Sequence, residues 1–242
     1  MAKSPVRILI VDDEPELRST ISFELNQTGF ITENAADGLE AQDLLLHKNF
    51  DIVISDVRMP RCGGVELLQW VMNKKFKNTA MIFMSGFADI PIWEAFGLGV
   101  QGFLGKPFDI SDLQMQIRNL LLPLSERWLS SPPPFQNTFK ANFDHSDGTP
   151  ASGFALGQGG CFMAQFPPSW KQNQNIELSL EVPMLAGGKI EGVAHIRWIR
   201  RNPDNGNYLG AGLEFLTLTP ECQVEVVDWI RRNEPTAFIP TN

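Results

Sequence analysis

A short apolar run near the start of the chain ends abruptly in two adjacent carboxylates. Residues 8–11 are isoleucine, leucine or valine, Asp12 and Asp13 follow them directly, and Pro15 then opens an amphipathic segment. This order is typical of a buried parallel strand that leads into a helix. Ligands of open α/β sheets bind beyond the carboxyl ends of the strands. The two acids are therefore expected at a binding edge, where paired carboxylates suit a hard divalent cation such as Mg²⁺.

The alternation of an apolar run and an amphipathic segment occurs five times before residue 122. The third run ends in Asp56, the fourth in Ser85 and the fifth in Lys106. Five β–α units joined by right-handed crossovers predict an α/β fold with a doubly wound, five-stranded parallel sheet. Such a sheet gathers five polar side chains at one edge: Asp12, Asp13, Asp56, Ser85 and Lys106.

These side chains suit the transfer of a phosphoryl group onto a carboxylate. Three carboxylates can bind Mg²⁺, which leaves the ammonium of Lys106 and the hydroxyl of Ser85 to hold the oxygens of an anion. The metal ion and the ammonium neutralise charge on a transferring group. An attacking carboxylate then forms an aspartyl phosphate, a covalent form that carboxylates are known to take.

Composition argues against several classes of function. The 242-residue sequence has a net charge of −8, so we expect no DNA binding. It contains no apolar run long enough to span a membrane and no apolar core of a signal peptide, so we expect no membrane insertion. Its three cysteines lie far apart in the sequence, which favours a reduced, cytoplasmic setting.

A proline-rich stretch separates the first half of the chain from a second half with a different periodicity. Residues 123–135 contain three consecutive prolines, which are typical of a stiff, extended linker. Apolar and polar residues then mostly alternate, and a helical pattern begins at Pro220. The sequence therefore predicts a domain at 1–122, a linker at 123–135, and a small antiparallel β-barrel with a C-terminal helix at 136–242.

Four motifs in the first half stand in a diagnostic order and spacing: Val11–Glu14, Asp56–Pro60, Met84–Gly86 and Lys106–Phe108. With them, residues 5–122 resemble a response-regulator receiver domain, which implies a flavodoxin-like fold. The resemblance implies that Asp56 is the phosphoacceptor and that Lys106 and Ser85 contact the phosphoryl group. It also places Phe103 where the family has a rotating aromatic that switches together with Ser85; the alternative is a plain core aromatic.

The same resemblance implies a magnesium site and a source of phosphate. Asp13 and Asp56 are expected to bind Mg²⁺ directly, Asp12 to act through a water molecule, and the backbone carbonyl of Arg58 to complete the protein ligands. The expected phosphate donor is a sensor histidine kinase or a phosphotransfer protein. Receiver domains often pair, so a homodimer through this half is a further expectation.

Two phrases in the second half, Gly192–Arg200 and Gly210–Phe215, resemble the paired strands of a PilZ domain. The usual ligand of that family is cyclic di-GMP, which is bound by an arginine pair and by an Asp/Asn-x-Ser-x-x-Gly motif. Here the motif aligns with Ala155, Gly157 and Gly160, so its acid and serine are missing, and the arginine pair is missing too. Charge-assisted hydrogen bonds contribute about 1.5–3 kcal/mol each. We therefore expect that cyclic di-GMP is not bound in the usual way.

The sequence as a whole predicts a two-component response regulator rather than an enzyme. Phosphorylation of Asp56 is expected to control how the PilZ-like half binds a protein partner that the sequence does not identify. Two alternatives stay open. One is a cyclic di-GMP effector with a non-standard pocket, and the other is a phosphate sink without an output.

Overall fold

A computed structural model describes residues 5–74, 76, 79–86, 89–123, 126–128, 131–143, 152–201 and 209–240. The chain forms two compact units. The first comprises residues 1–91 and 100–121, and the second comprises residues 92–99 and 122–242. Each unit is built on one β-sheet.

The sheet of the first unit is parallel throughout and has five strands. In chain order they are β1 (Arg7–Val11), β2 (Ile31–Ala35), β3 (Ile52–Asp56), β4 (Ala80–Ser85) and β5 (Gly102–Gly105). Their order across the sheet is β2-β1-β3-β4-β5, and every neighbouring pair is parallel. The predicted five-stranded parallel sheet is confirmed.

Within the described residues, four helices follow strands of this unit: α1 (Pro15–Gln27), α2 (Gly38–His47), α3 (Gly64–Asn73) and α5 (Ile110–Leu121). Helix α4 (Ile92–Gly97), which lies between β4 and β5 in the sequence, belongs to the second unit. Strands β1 and β3 read as continuous apolar runs because both of their faces are covered, and residues 8–11 and 52–54 are fully buried. Pro15 occupies the first turn of α1, where the missing N–H of proline costs nothing. Asp37 caps α2 by accepting from the N–H groups of Leu39 and Glu40.

The second unit contains a six-stranded sheet with a helix after its last strand. Its strands are β6 (Asn137–Asn142), β7 (Phe154–Leu156), β8 (Gly160–Met163), β9 (Asn175–Glu181), β10 (Lys189–Arg200) and β11 (Gly210–Leu218), followed by α6 (Pro220–Asn233). The order across the sheet is β6-β9-β10-β11-β8-β7. The predicted helix that begins at Pro220 is confirmed. The sequence of residues 202–207 also predicts a hairpin loop, and this stretch lies outside the described residues.

This sheet differs from the expected closed, antiparallel barrel in two respects. Strand β6 runs parallel to β9, whereas the other ladders are antiparallel. Within the described ranges, β6 and β7 also stand at opposite ends of the strand order, so the sheet is a half-barrel. Alternation of apolar and polar residues reports which face of a strand is buried, but it carries no information on strand direction or closure.

The core of the second unit is rich in aromatic residues. Trp170 is 2% exposed, and its ring lies 5.0 Å from that of Phe139 in an edge-to-face arrangement. Trp128, in the predicted linker, belongs to the same core. Across the described part of the chain, none of the cysteines forms a disulfide. None of the helices described is long and apolar enough to cross a membrane.

Candidate functional site

Four strands of the parallel sheet end beside polar residues at the same edge. Asp12 follows β1, Asp56 ends β3, Ser85 ends β4 and Lys106 follows β5. Strands β1 and β3 are neighbours, although the chain passes outward through β2 between them. The crevice at such a reversal of strand order is where ligands of open α/β sheets bind.

Lys106 holds two buried carboxylates together. Its Nζ lies 2.8 Å from Oδ2 of Asp12 and 2.5 Å from Oδ1 of Asp56. Asp12 is 0% exposed and Asp56 is 6% exposed. A buried charge is tolerated when it is paired and hydrogen-bonded. The three groups therefore form one ionic cluster whose formal charge, two carboxylates against one ammonium, is negative.

The remaining oxygens of these two carboxylates are also hydrogen-bonded. The backbone N–H of Arg58 donates to Oδ2 of Asp56 at 2.7 Å, and the N–H of Glu14 donates to Oδ1 of Asp12 at 2.8 Å. Each carboxylate is thus fixed by its own loop on one side and by Lys106 on the other. Fixed groups of this kind need little reorganisation during a reaction.

The pKa values of Asp56 and Lys106 reflect their burial and their charged neighbours. Burial raises the pKa of Asp56 above its ordinary value, the nearby Asp12 raises it further, and contacts with Lys106 and Arg58 lower it only in part. Burial acts to lower the pKa of Lys106, but its contacts with Asp12 and Asp56 raise the pKa overall. The ammonium is therefore held in its charged form, while the charge on Asp56 is only partly compensated.

Ser85 lies at the end of β4 and is 1% exposed. Its hydroxyl donates to the carbonyl of Gly86 at 3.0 Å and lies 3.3 Å from Oδ2 of Asp89. Asp89 also accepts from the N–H of Gly86 at 2.6 Å and pairs with Nε of Arg58 at 2.6 Å. Asp89 thus ties the loop after β3 to the loop after β4. Sequence reasoning missed this residue, and its only signal is an acid shortly after the Ser-Gly pair.

The predicted magnesium ligands are brought together only in part. The side chains of Asp12 and Asp56 are engaged by Lys106, while Asp13 is exposed. Within the described ranges, no three His, Cys, Asp or Glu side chains are arranged to hold a metal ion. The donor chemistry nevertheless fits Mg²⁺, which prefers carboxylate and carbonyl oxygens. A cation would also supply the positive charge that the ionic cluster lacks.

Phe103 is half-buried on β5, where it pairs in register with Phe83 of β4. Its carbonyl accepts from Nε2 of Gln116 at 3.2 Å. Both alternatives for this ring, switch aromatic and core aromatic, are compatible with that position.

The predicted motif of the second half lies at the turn between β7 and β8. Ala155 is buried on β7, and Gly160 begins β8. A side chain on Gly160 would overlap the backbone carbonyl of Leu213 on β11, so glycine is required there by close strand packing. Gly157 is buried in the turn.

The family match lies in the first half of the chain. Residues 8–118 match the family model of the response regulator receiver domain. The response regulator Rre1 of Synechocystis is 36% identical over 121 residues, which cover 48% of this chain and 52% of that protein. The response regulator protein PilR of Pseudomonas aeruginosa is 31% identical over 140 residues, 54% of this chain and 31% of that protein. The match therefore spans about half of one relative and a third of the other.

Two smaller proteins are matched over nearly their whole length. Sporulation initiation phosphotransferase F of Bacillus subtilis is 32% identical over 116 residues, which cover 48% of this chain and 93% of that protein. The solved structure of the chemotaxis response regulator CheY4 of Vibrio cholerae is 31% identical, covers 49% of this chain and 100% of its own, and has a TM-score of 0.45. With the family model matched at residues 8–118 and a relative matched almost from end to end, this chain belongs to the response regulator receiver family.

Proposed function

We propose that this protein is a response regulator in which Asp56 accepts a phosphoryl group from a histidine kinase or a phosphotransfer protein. The state of Asp56 then controls which protein the second unit binds. Receiver domains are phosphoacceptors, and two-component signalling is the setting of the family. Three parts go beyond these family properties and are proposed: the phosphate donor, the protein partner, and the role of Asp56 as the phosphoacceptor.

One observation carries the proposal. Asp12 and Asp56, both buried, converge on the single ammonium of Lys106 at the carboxyl edge of the sheet. Placing two buried carboxylates beside a partly buried ammonium costs free energy of desolvation, and this cost favours a functional role for the cluster. The edge offers a nucleophilic carboxylate, a cation for the phosphoryl oxygens and, in Ser85, a hydroxyl donor on the adjacent strand.

The transfer can be written in terms of the groups present. An oxygen of Asp56 attacks the phosphorus of a phosphohistidine, a P–O bond forms and the P–N bond breaks, and the histidine nitrogen keeps the electron pair. Lys106 then pairs with a phosphoryl oxygen in place of Oδ1 of Asp56. The hydroxyl of Ser85, which now donates to Gly86, turns to another phosphoryl oxygen. That exchange of partners changes the loop after β4.

The residues suited to hold Mg²⁺ are Asp12, Asp13 and Asp56 with the backbone carbonyl of Arg58. When bound, the ion neutralises charge on the phosphoryl oxygens during transfer. It would also lower the pKa of Asp56, because a nearby cation favours the ionised form of a carboxylate. The raised pKa of Asp56 in the present arrangement makes that effect useful.

The second unit serves as the output in this proposal, as a protein-binding rather than a nucleotide-binding unit. The PilZ-like character of its strands is part of the proposal. At the positions of the nucleotide motif stand Ala155, Gly157 and Gly160, which offer no side-chain hydrogen-bond donor or acceptor for a phosphate or a base. Isothermal titration with cyclic di-GMP at micromolar protein is therefore expected to show no tight binding, and tight binding would argue for a nucleotide effector.

The proposal is tested by incubating the full chain with acetyl phosphate and Mg²⁺ and measuring its intact mass. The wild type is expected to gain one phosphoryl group, and Asp56→Ala is expected to gain none. Asp43→Ala is the matched control, because the side chain of Asp43 is 75% exposed on α2, and it should be labelled like the wild type. Labelling of Asp56→Ala to the wild-type extent would overturn the assignment.

A further inference from the structure

A short segment after α6 packs against the turn between β7 and β8. Helix α6 ends at Asn233, and Glu234 adopts the left-handed conformation with φ 43° and ψ 52°, a common way to end a helix. Residues 235–240 are called the post-helix segment, and residues 157–160 are called the glycine loop. Ile239 is 0% exposed and Phe238 is 6% exposed, so the post-helix segment is docked on the unit.

The two segments pair through their backbones. The N–H of Gln158 donates to the carbonyl of Ala237 at 3.0 Å, and the N–H of Gly159 donates to the carbonyl of Phe238 at 3.0 Å. The side chain of Gln158 adds a bond from Nε2 to the carbonyl of Pro235 at 2.8 Å. Two consecutive amides of the glycine loop thus bind two consecutive carbonyls of the post-helix segment.

Two glycines of the loop make room for this approach. A Cβ on Gly157 would lie 2.6 Å from the carbonyl oxygen of Phe238 and 2.7 Å from Cδ of Pro240, and a Cβ on Gly159 would overlap the ring of Phe238. Neither glycine has a positive φ, so their own backbone conformations would accept alanine. It is the docked segment that requires glycine at both positions.

The glycine loop is held in shape by bonds that do not involve the post-helix segment. The N–H of Gly157 donates to the carbonyl of Gly160 at 2.8 Å, and the carbonyl of Gly159 accepts from the N–H of Phe215 at 2.9 Å. Within the same unit, the ring of Phe96 on α4 lies 5.6 Å from the ring of Phe238, and its carbonyl accepts from the N–H of Phe238 at 3.2 Å. A preorganised loop with an aromatic wall is a better receptor than one that must be ordered on binding.

We propose that the glycine loop is a peptide-binding site whose intramolecular occupant is the post-helix segment. The partner it fits is a protein segment of the same chemistry: a short stretch with an aromatic residue, a β-branched residue and a proline in the order of Phe238, Ile239 and Pro240. The backbone carbonyls supply the affinity, and the aromatic ring over Gly159 supplies the selectivity. Such a partner binds by displacing the post-helix segment.

The intramolecular occupant sets how strongly a partner must bind. A short tether presents its end at an effective concentration on the order of millimolar. A free peptide therefore competes poorly against the post-helix segment while that segment is present. The proposal needs no property of Asp56, so it stands or falls independently of phosphorylation.

The test uses a labelled synthetic peptide of residues 235–242 and a chain that stops after Glu234. Fluorescence anisotropy is expected to show saturable binding to the shortened chain and at least roughly tenfold weaker binding to the full chain, because the latter occupies its own site. The same peptide with alanine at Phe238 should bind the shortened chain far more weakly. A folded shortened chain that does not bind the peptide, or equal binding to both chains, would overturn the proposal.

A second measurement tests the docking of the post-helix segment in the full chain, so it does not depend on whether the shortened chain folds. Gly157→Ala in the full chain should expel the post-helix segment, so that the amides of Gln158 and Gly159 exchange hydrogen at least tenfold faster than in the wild type. Gly187→Ala is the matched control, because the three atoms nearest to its Cβ would belong to the flexible carboxylate of Glu225. Equal exchange at Gln158 and Gly159 in all three proteins would contradict the docking.

Light scattering separates a docked segment from an exchanged one. The full chain and the chain that stops after Glu234 are expected to show the same oligomeric state. A dimer that is lost when the chain stops after Glu234 would mean that two copies exchange their segments, which would overturn the intramolecular assignment.

Discussion

In the parallel sheet the candidate site consists of charged side chains. In the half-barrel the candidate binding loop consists of backbone amides and of glycines, whose lack of a side chain leaves room for another segment. Lys106 joins Asp12 and Asp56 at the edge of the first sheet. At the second sheet, Gly157 and Gly159 admit a peptide whose carbonyls meet backbone amides. The contrast indicates that the first sheet is suited to a reaction at one side chain and the second to the binding of a peptide.

The largest effect is expected from removing the cation of the first site. Lys106→Met leaves two buried carboxylates without their common partner, and breaking a buried ion pair in this way costs about 3–5 kcal/mol of unfolding free energy. Urea unfolding followed by circular dichroism measures the loss. Lys48→Met is the control, because Lys48 pairs with Glu33 at 2.6 Å while its side chain is 46% exposed, and exposed pairs contribute about 0–1 kcal/mol. Similar losses of unfolding free energy in the two variants would contradict the expectation that the buried ion pairs of Lys106 contribute more to stability than an exposed pair.

A smaller effect is expected from adding a side chain to a glycine where two strands of the second sheet lie close together. Gly160→Ala places a Cβ against the backbone carbonyl of Leu213, which cannot move without shifting β11, and overpacking of this kind costs about 1–3 kcal/mol. The same unfolding experiment measures it. Gly187→Ala should stay within about 0.5 kcal/mol of the wild type, as surface changes usually do. An unchanged stability of Gly160→Ala would show that glycine is not needed for the close approach of β8 and β11.

The smallest effect is a dependence of stability on pH that only the first site should produce. Burial raises the folded-state pKa of Asp56 above its unfolded value, so the native protein keeps a proton that the unfolded chain has already released. Asp56 therefore makes its full contribution to the unfolding free energy below the ordinary aspartate pKa of about 3.9. That contribution is lost as pH rises through the raised folded-state pKa. Asp56→Asn removes that loss.

The measurement compares urea unfolding of the wild type and Asp56→Asn in magnesium-free buffer over a series of pH values. The wild type should lose stability relative to Asp56→Asn as pH rises from about 4. A constant difference, or one of opposite slope, would contradict the description of Asp56 as a buried, incompletely compensated charge.

Much of the first unit follows from the sequence because its signals are local. The continuous apolar runs at 8–11 and 52–54 leave little choice but buried strands, and each is followed within two residues by an acid at the crevice, Asp12 or Asp56. Asp89 escaped prediction because its role depends on Arg58, which belongs to the loop after β3. No spacing rule within one segment reports an interaction of that kind.

The second unit was harder to predict because its features depend on distant pairs. The apolar alternation of β6 is the same whether it runs parallel or antiparallel to β9, so the parallel ladder could not be seen in the sequence. The sequence aligns Gly157 and Gly160 with positions of a nucleotide-binding motif whose acid and serine are missing. The structure gives them different partners, since Gly160 faces Leu213 and Gly157 faces Phe238 and Pro240.

The central claim, that Asp56 is the residue that takes the phosphoryl group, is tested most directly by locating the group within the chain. After incubation with acetyl phosphate and Mg²⁺, borohydride reduces an aspartyl phosphate to homoserine, and tandem mass spectrometry of peptides then identifies the position. The account predicts homoserine at position 56 and unmodified aspartate at Asp12, Asp13 and Asp89. Homoserine at one of those three positions, or none anywhere in a chain that has gained a phosphoryl group, would contradict it.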